Sequence, residues 1–238
     1  MSRNEILRDL AIANRILARE GVVDAYGHVS LRNPERPDRF FLSRSRSPEL
    51  VTPADIMEFG LDGQVVDKAD TRQPYLERLI HSAVYEARPE VNSVVHNHST
   101  AIVPFSVTKM RLRPLIHTAG GIGAHIPVWD INDKFGDTNL LVANMDQGRD
   151  MARILADNRV VLMRGHGCTV AGGSLQQAVI VAIYAQVNAL LQLDALKLGD
   201  VKYLTDGEVR ETAKLIEMSN VLTRLWDYFV SRADVKGI

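Results

Sequence analysis

The residues best suited to chemistry are three histidines in two separated segments. Val94-Val95-His96-Asn97-His98-Ser99 sets two imidazoles two positions apart, and Arg164-Gly165-His166-Gly167 sets a third between glycines. In an extended strand, residues i and i+2 face the same way, so His96 and His98 at a strand end can converge on one cation. Each segment follows an apolar run, Ser93 to Val95 and Val160 to Met163, which delivers the histidines from the core to a strand end. The glycines flanking His166 permit an unusual backbone path and close approach. Three imidazoles suit zinc, manganese, iron, cobalt or nickel, with a position left open for substrate. Two surface histidines on an exposed strand would read the same way, so spacing alone leaves both alternatives standing.

Glu77 precedes the first histidine pair within Tyr75–Ala87, whose periodicity predicts an amphipathic helix. A carboxylate near three histidines can ligate a cation or move a proton. Without them, the same side chain is a solvated glutamate paired with Arg78 or with His81 one turn on. His81 shares that helix face and suits a hydrogen-bonding role behind the ligands. His117 and His125 lie in the Gly-rich stretch RPLIHTAGGIGAHIPV. His117 is a candidate for binding substrate, though both residues could simply satisfy loop backbone. Tyr184 reads as core, and Cys168 has no evident base partner to make it a nucleophile.

The elements that must position these groups follow from periodicity and turn chemistry. A helix is expected over residues 4–20, ending at Gly21. Short strands follow at HVSLRN and RFFLS, and TPADI carries a helix-start signal, with Thr52 as cap and Pro53 in the first helical position. MEFGLDGQVV suggests a hairpin around Asp62-Gly63. VNSVVHNHS and IPVWD look like strands, and RVVLMRGHG like a strand entering a turn. Helices are expected at 144–158, 174–197 and 207–232. The sum is one α/β domain over residues 1–238, a mostly antiparallel sheet flanked by helices.

Composition narrows the functional classes. The 238 residues are 46% apolar and 24% charged, enough to bury a core without staples. The formal charge of −1 supplies no basic field for nucleic acid. A lone cysteine and an amphipathic, charged N-terminus without an apolar leader run fit a cytoplasmic protein. Residues 178–193 look membrane-like at a glance, but Gln186, Asn188 and Gln192 interrupt them, so a buried or interface helix is expected and no membrane partner.

YLERLIHSAVYEARPEVNSVVHNHST and the later RGHGCTVAGGSL together resemble the class II aldolase/adducin family, in matching order and spacing over roughly residues 5–200. The resemblance implies an α/β/α fold, His96, His98 and His166 as ligands of a divalent ion (zinc, manganese, iron or cobalt), Glu77 as acid/base, and a homotetramer with sites at subunit interfaces. The chain departs from the family's sugar-phosphate aldolases, where Gly-Asn, Thr-Gly and Ser-Ser cradle a phosphate. Here the equivalents are Gly27-His28, Ser43-Arg44 and Tyr75-Leu76. The pocket becomes bulkier and less suited to a dianion. Arg44 and His28 are expected to act on the substrate, with Ser43, Arg46, Tyr75 and His117 binding it. Arginine forks match planar carboxylates, and Tyr75 with Leu76 offers a flat wall for a ring. Arg46 facing water is the plainer alternative.

These substitutions resemble the family's decarboxylase branch. The implied substrate is a small hydroxylated aromatic carboxylic acid, such as a dihydroxyphthalate, losing CO2 through an enolate that the cation stabilises. Two alternatives stand beside it. One is an aldolase, epimerase or dehydratase acting on a non-phosphorylated or sugar-like carbonyl compound. The other is a non-catalytic, adducin-like interaction domain.

Overall fold

Side-chain alternation along the strands decides the architecture. The computed structural model describes residues 2–236 and 238. Among them the strands are β1 (His28–Arg32), β2 (Arg39–Ser43), β3 (Ile56–Gly60), β4 (Ser93–Asn97), β5 (Val128–Trp129), β6 (Val160–Met163) and β7 (Gly167–Gly172). The helices are α1 (Arg3–Arg19), α2 (Arg78–Ala87), α3 (Val103–Val107), α4 (Asn132–Phe135), α5 (Met145–Leu155), α6 (Leu175–Leu198), α7 (Asp206–Glu217) and α8 (Ser219–Arg232). The strands form one sheet in the order β3-β2-β1-β4-β7-β6-β5. Every pairing is antiparallel except β5 with β6.

One face of the sheet buries Val29, Phe41, Val95, Leu162, Cys168 and Val170 against α1 and α6. The alternate residues Phe40, Leu42, Val94, Val161, Met163 and Ala171 pack on the other face against α2 and α5. The result is the expected α/β/α layering, with helices on both sides of a mostly antiparallel sheet. By the same alternation His28, Ser30 and His96 share parity with Val94 and point toward the α2 side.

The polar interruptions of α6 tie loops to it. Asn188 Oδ1 accepts from Leu115 N at 2.7 Å, and its Nδ2 donates to Arg113 O at 2.8 Å. Gln192 Oε1 accepts from Arg113 N at 2.9 Å, and its Nε2 donates to Arg111 O at 2.7 Å. Gln186 donates to Glu20 O and accepts from Ser99 Oγ. Among the described residues α6 is the one helix long and apolar enough to span a bilayer, and half of its apolar stretch is buried inside this fold.

Several local expectations change. Tyr75, Leu76 and Glu77 lie outside α2, which begins at Arg78. The preceding chain is drawn away by an Arg44–Pro74 bridge and by Ser45 N donating to Gln73 O. TPADI makes only a 3-10 turn, Pro53–Asp55, because Ile56 returns to extended backbone and starts β3. The hairpin after β3 closes with a single bridge, Phe59 to Val65. The tail helix divides at Met218, whose ψ of 127° is incompatible with a continuous helix. Directly after the glycine turn the chain forms a further strand, β7, which its small residues do not announce.

Candidate metal centre

Four donor groups reach one point from three elements. His96 is on β4 and His98 one residue past its end; His166 is in the turn between β6 and β7; Glu77 occupies the residue just before α2, its side chain free of any capping bond to that helix. The antiparallel pairing of β4 with β7, which sets Asn97 opposite Cys168, carries the His166 turn to the end of β4. His96 Nε2 lies 3.0 Å from His98 Nε2, and His98 Nε2 lies 2.9 Å from His166 Nε2. Glu77 Oε2 is 3.5 Å from both His96 Nε2 and His166 Nε2. All four ligand atoms fall within 4.8 Å of one another.

The two glycines do different jobs. Gly165 has φ of +64°, a left-handed turn residue. Gly167 passes so close to β4 that a Cβ there would lie 2.0 Å from Asn97 O and 3.0 Å from His98 Cα. The third histidine is thus pressed against the first two by a contact that only glycine allows.

The donor set fits a divalent cation. With metal–nitrogen bonds of about 2.0–2.1 Å, ligands at right angles sit about 2.9 Å apart, the spacing these imidazole nitrogens show. Three ring nitrogens converging on one point cannot all find protons or acceptors in each other, whereas one cation accepts all three lone pairs. His96 Nδ1 donates to Cys168 O at 3.2 Å, which leaves Nε2 as the lone-pair nitrogen. Burial lowers the His98 pKa to about 4, so its imidazole is neutral at pH 7. Burial pushes Glu77 toward protonation, but His96 and His166 outweigh it and hold the carboxyl well below the usual range. Its other oxygen, Oε1, accepts from Val142 N at 3.0 Å.

Beside the cluster opens a pocket of about 360 Å³, lined by Tyr26, His28, Tyr75, Leu76, Glu77 and His98 among others. Tyr26 and Leu76 form exposed lips, 67% and 49% accessible. His28 packs its ring 4.5 Å from Tyr75 and 5.2 Å from His96, centroid to centroid. Arg44, Arg46, Ser43 and His117 lie outside the pocket. Arg44 Nε and Arg46 Nη1 both donate to Asp55 Oδ1, at 2.7 and 3.2 Å, and neither lines the pocket, although Ser45 between them does. Ser43 is fully buried and does not line the pocket. His117 lines a different cavity, about 250 Å³, with Tyr184, Thr212 and Ile216. Tyr75 is at the pocket, and its hydroxyl donates to Arg46 O.

Sequence reasoning missed four participants: Ser30 and Tyr85, which are bonded in turn to His81 behind His28, Asp55, and the Val142 amide. Ser30 and Tyr85 had a signal. Ser30 is two residues from His28 on a strand, and Tyr85 four from His81 on a helix, the spacings that share a face. Val142 comes from irregular chain 65 residues away, which no local pattern marks.

Residues 8–193 match the family model for the class II aldolase and adducin N-terminal domain. A decarboxylase of Talaromyces stipitatus, tropJ, is 37% identical, covering 94% of this chain and 92% of its own length. The 3,4-dihydroxyphthalate decarboxylase of Arthrobacter keyseri is 31% identical over the same shares. An aldolase II superfamily protein from Pseudomonas syringae superposes with a TM-score of 0.83 at 21% identity, covering all of this chain and 96% of that one. Sequence, fold and layout agree: the chain belongs to the class II aldolase/adducin family.

Proposed function

We propose that this chain is a metal-dependent carbon–carbon lyase, a carboxy-lyase acting on a hydroxylated aromatic acid of the phthalate type. The observation that carries the proposal is the convergence of His96, His98, His166 and Glu77 on one point at the wall of an apolar-lipped pocket. Relatives named decarboxylases, similar over nearly their whole length, support CO2 as the leaving group. A divalent ion held by the three histidines would supply Lewis acidity for the electron pair left when CO2 departs. Zinc, manganese, iron and cobalt all suit that donor set.

The chain's own side chains account for the rest. Tyr75 and Leu76 offer the ring an apolar wall. Breaking the ring-to-carboxylate bond leaves an electron pair on carbon, and a proton must take the place of CO2. Glu77 would hold and return that proton, a reading supported by Val142 N–H anchoring Oε1 while Oε2 faces the cluster. Arg44 and Arg46 keep about a third of their side chains exposed beside Ser45. Anchored on Asp55, they form a basic rim that draws in a second carboxylate, as Arg44's part in the reaction. The chain would form one domain and assemble as a cytoplasmic homotetramer with interface sites; sedimentation velocity tests the assembly.

The test pairs metal analysis with CO2 release from dihydroxyphthalate-type acids. His96→Ala and His166→Ala are expected to lose both metal and turnover. Glu77→Gln is expected to keep metal and lose turnover by about 10²–10⁴-fold. Unchanged metal content and rate in the histidine variants would overturn the proposal. Aldehyde release from a sugar-like substrate without CO2 release would favour the aldolase, and a metal-free, inactive protein the interaction domain.

A further inference from the structure

Behind the pocket wall runs a buried hydrogen-bond chain that the proposed reaction does not use. His28 Nδ1 lies 2.6 Å from His81 Nε2, His81 Nδ1 lies 2.6 Å from Ser30 Oγ, and Ser30 Oγ lies 2.7 Å from Tyr85 Oη. All four side chains are at most 3% exposed. Each link holds one proton, and Ser30 Oγ has no partner among the described residues besides His81 and Tyr85, so accepting from both would leave its own buried proton without an acceptor; the chain is therefore polarised one way or the other. If it runs inward, His28 donates first and Tyr85 must donate last. The acceptor then within reach of Tyr85 is Asn92 O, at a long 3.4 Å and already engaged by Arg32 N at 2.7 Å. If it runs outward, Tyr85 donates to Ser30, Ser30 to His81 and His81 Nε2–H to His28 Nδ1. Every interior proton then sits in a bond of 2.6–2.7 Å. The Arg32 guanidinium, 4.7 Å over the Tyr85 ring, draws density from the phenol and strengthens it as a donor.

We infer that His81, held by Ser30 and Tyr85, is a positioning residue that fixes His28 as the Nε2–H tautomer, so that His28 offers the pocket a neutral hydrogen-bond donor for an anionic oxygen of the substrate. No net charge enters the interior, where an unpaired one would be costly. Arg44 and Arg46 are bound to Asp55 and do not line the pocket, whereas His28 does. The part concerning substrate rests on the proposed function; the tautomer does not.

Long-range proton–nitrogen correlation on ¹⁵N-histidine-labelled, zinc-loaded protein reads which ring nitrogen carries hydrogen, with His28→Asn used to assign the signals. The expected result is Nε2–H for both His28 and His81. Ser30→Ala removes the donor to His81 Nδ1 and is expected to turn both rings toward Nδ1–H, with Ser30→Thr restoring them. In CO2 release, Ser30→Ala is expected to lower kcat/KM by up to about tenfold, the value of one neutral hydrogen bond, and to have no further effect in a His28→Asn background. Wild-type His28 found as Nδ1–H, or tautomers indifferent to Ser30→Ala, overturns the assignment. Protein that shows the expected tautomers but releases no CO2 overturns the proposed reaction and leaves the assignment intact.

Discussion

Cys168 lies fully buried on β7, and burial pushes its thiol up to about 12 against the opposing bond from Asn97. It should therefore ignore thiol reagents in the native state and react fully in denaturant; rapid labelling of folded protein by a disulfide reagent would contradict this. Asp55 makes a pH prediction. Burial pushes its carboxyl up, but bonds from Thr52 and Arg44 and the charge of Arg46 outweigh that and hold it at about 2. A folded-state pKa below the unfolded value means that the contribution to stability is present above about pH 4. It is lost as pH falls from about 4 to about 2. Asp55→Asn should flatten that limb of an acid-denaturation curve; an unchanged limb would refute the linkage. The three histidines were legible at this scale because each sits where an apolar run ends. Arg44 and Arg46 were legible as cations, but their partner was not, because Asp55 reaches them through a 3-10 turn read as a helix start.

The elements add a geometric constraint. Gly167→Ala would drive a methyl into the carbonyl of Asn97 at 2.0 Å, a backbone atom that cannot yield without moving His96 and His98. The variant is expected to lose metal affinity by at least about tenfold and to be destabilised by about 1–3 kcal/mol, as in overpacked interiors. Isothermal titration with zinc and urea denaturation measure both, and wild-type affinity would show that the close approach is immaterial. The long elements α1 and α6 were legible to within a residue, one from its periodicity and the other from its long apolar run, and α5 to within three residues at its C-terminal end. The start of α2 was not, because its apolar pattern continues through Tyr75 and Leu76 while tertiary bonds pull those residues into the pocket wall. Strand β7 was hidden for a related reason. Gly-Cys-Thr-Val-Ala-Gly is short and small, and becomes a strand through pairing with β4 and β6 rather than through its own preference.

At the scale of the molecule, the donors at positions 77, 96, 98 and 166 come together only when α2, β4 and the β6–β7 turn are assembled. A cation at that point would bind the folded chain over the unfolded one. Zinc in 100-fold excess over its dissociation constant would contribute about 2.7 kcal/mol and raise Tm by roughly 5–10 °C. Scanning calorimetry with and without chelator checks this; identical curves would argue against a bound ion. The family match ends at residue 193, just inside the end of α6, so α7 and α8 lie beyond the matched region. The amides of α6 invert an everyday rule about oily helices. Asn188→Leu would make the helix greasier and should nonetheless weaken the protein, because one amide satisfies both an N–H and a carbonyl of the neighbouring loop. Greater apolarity in that position means a looser molecule.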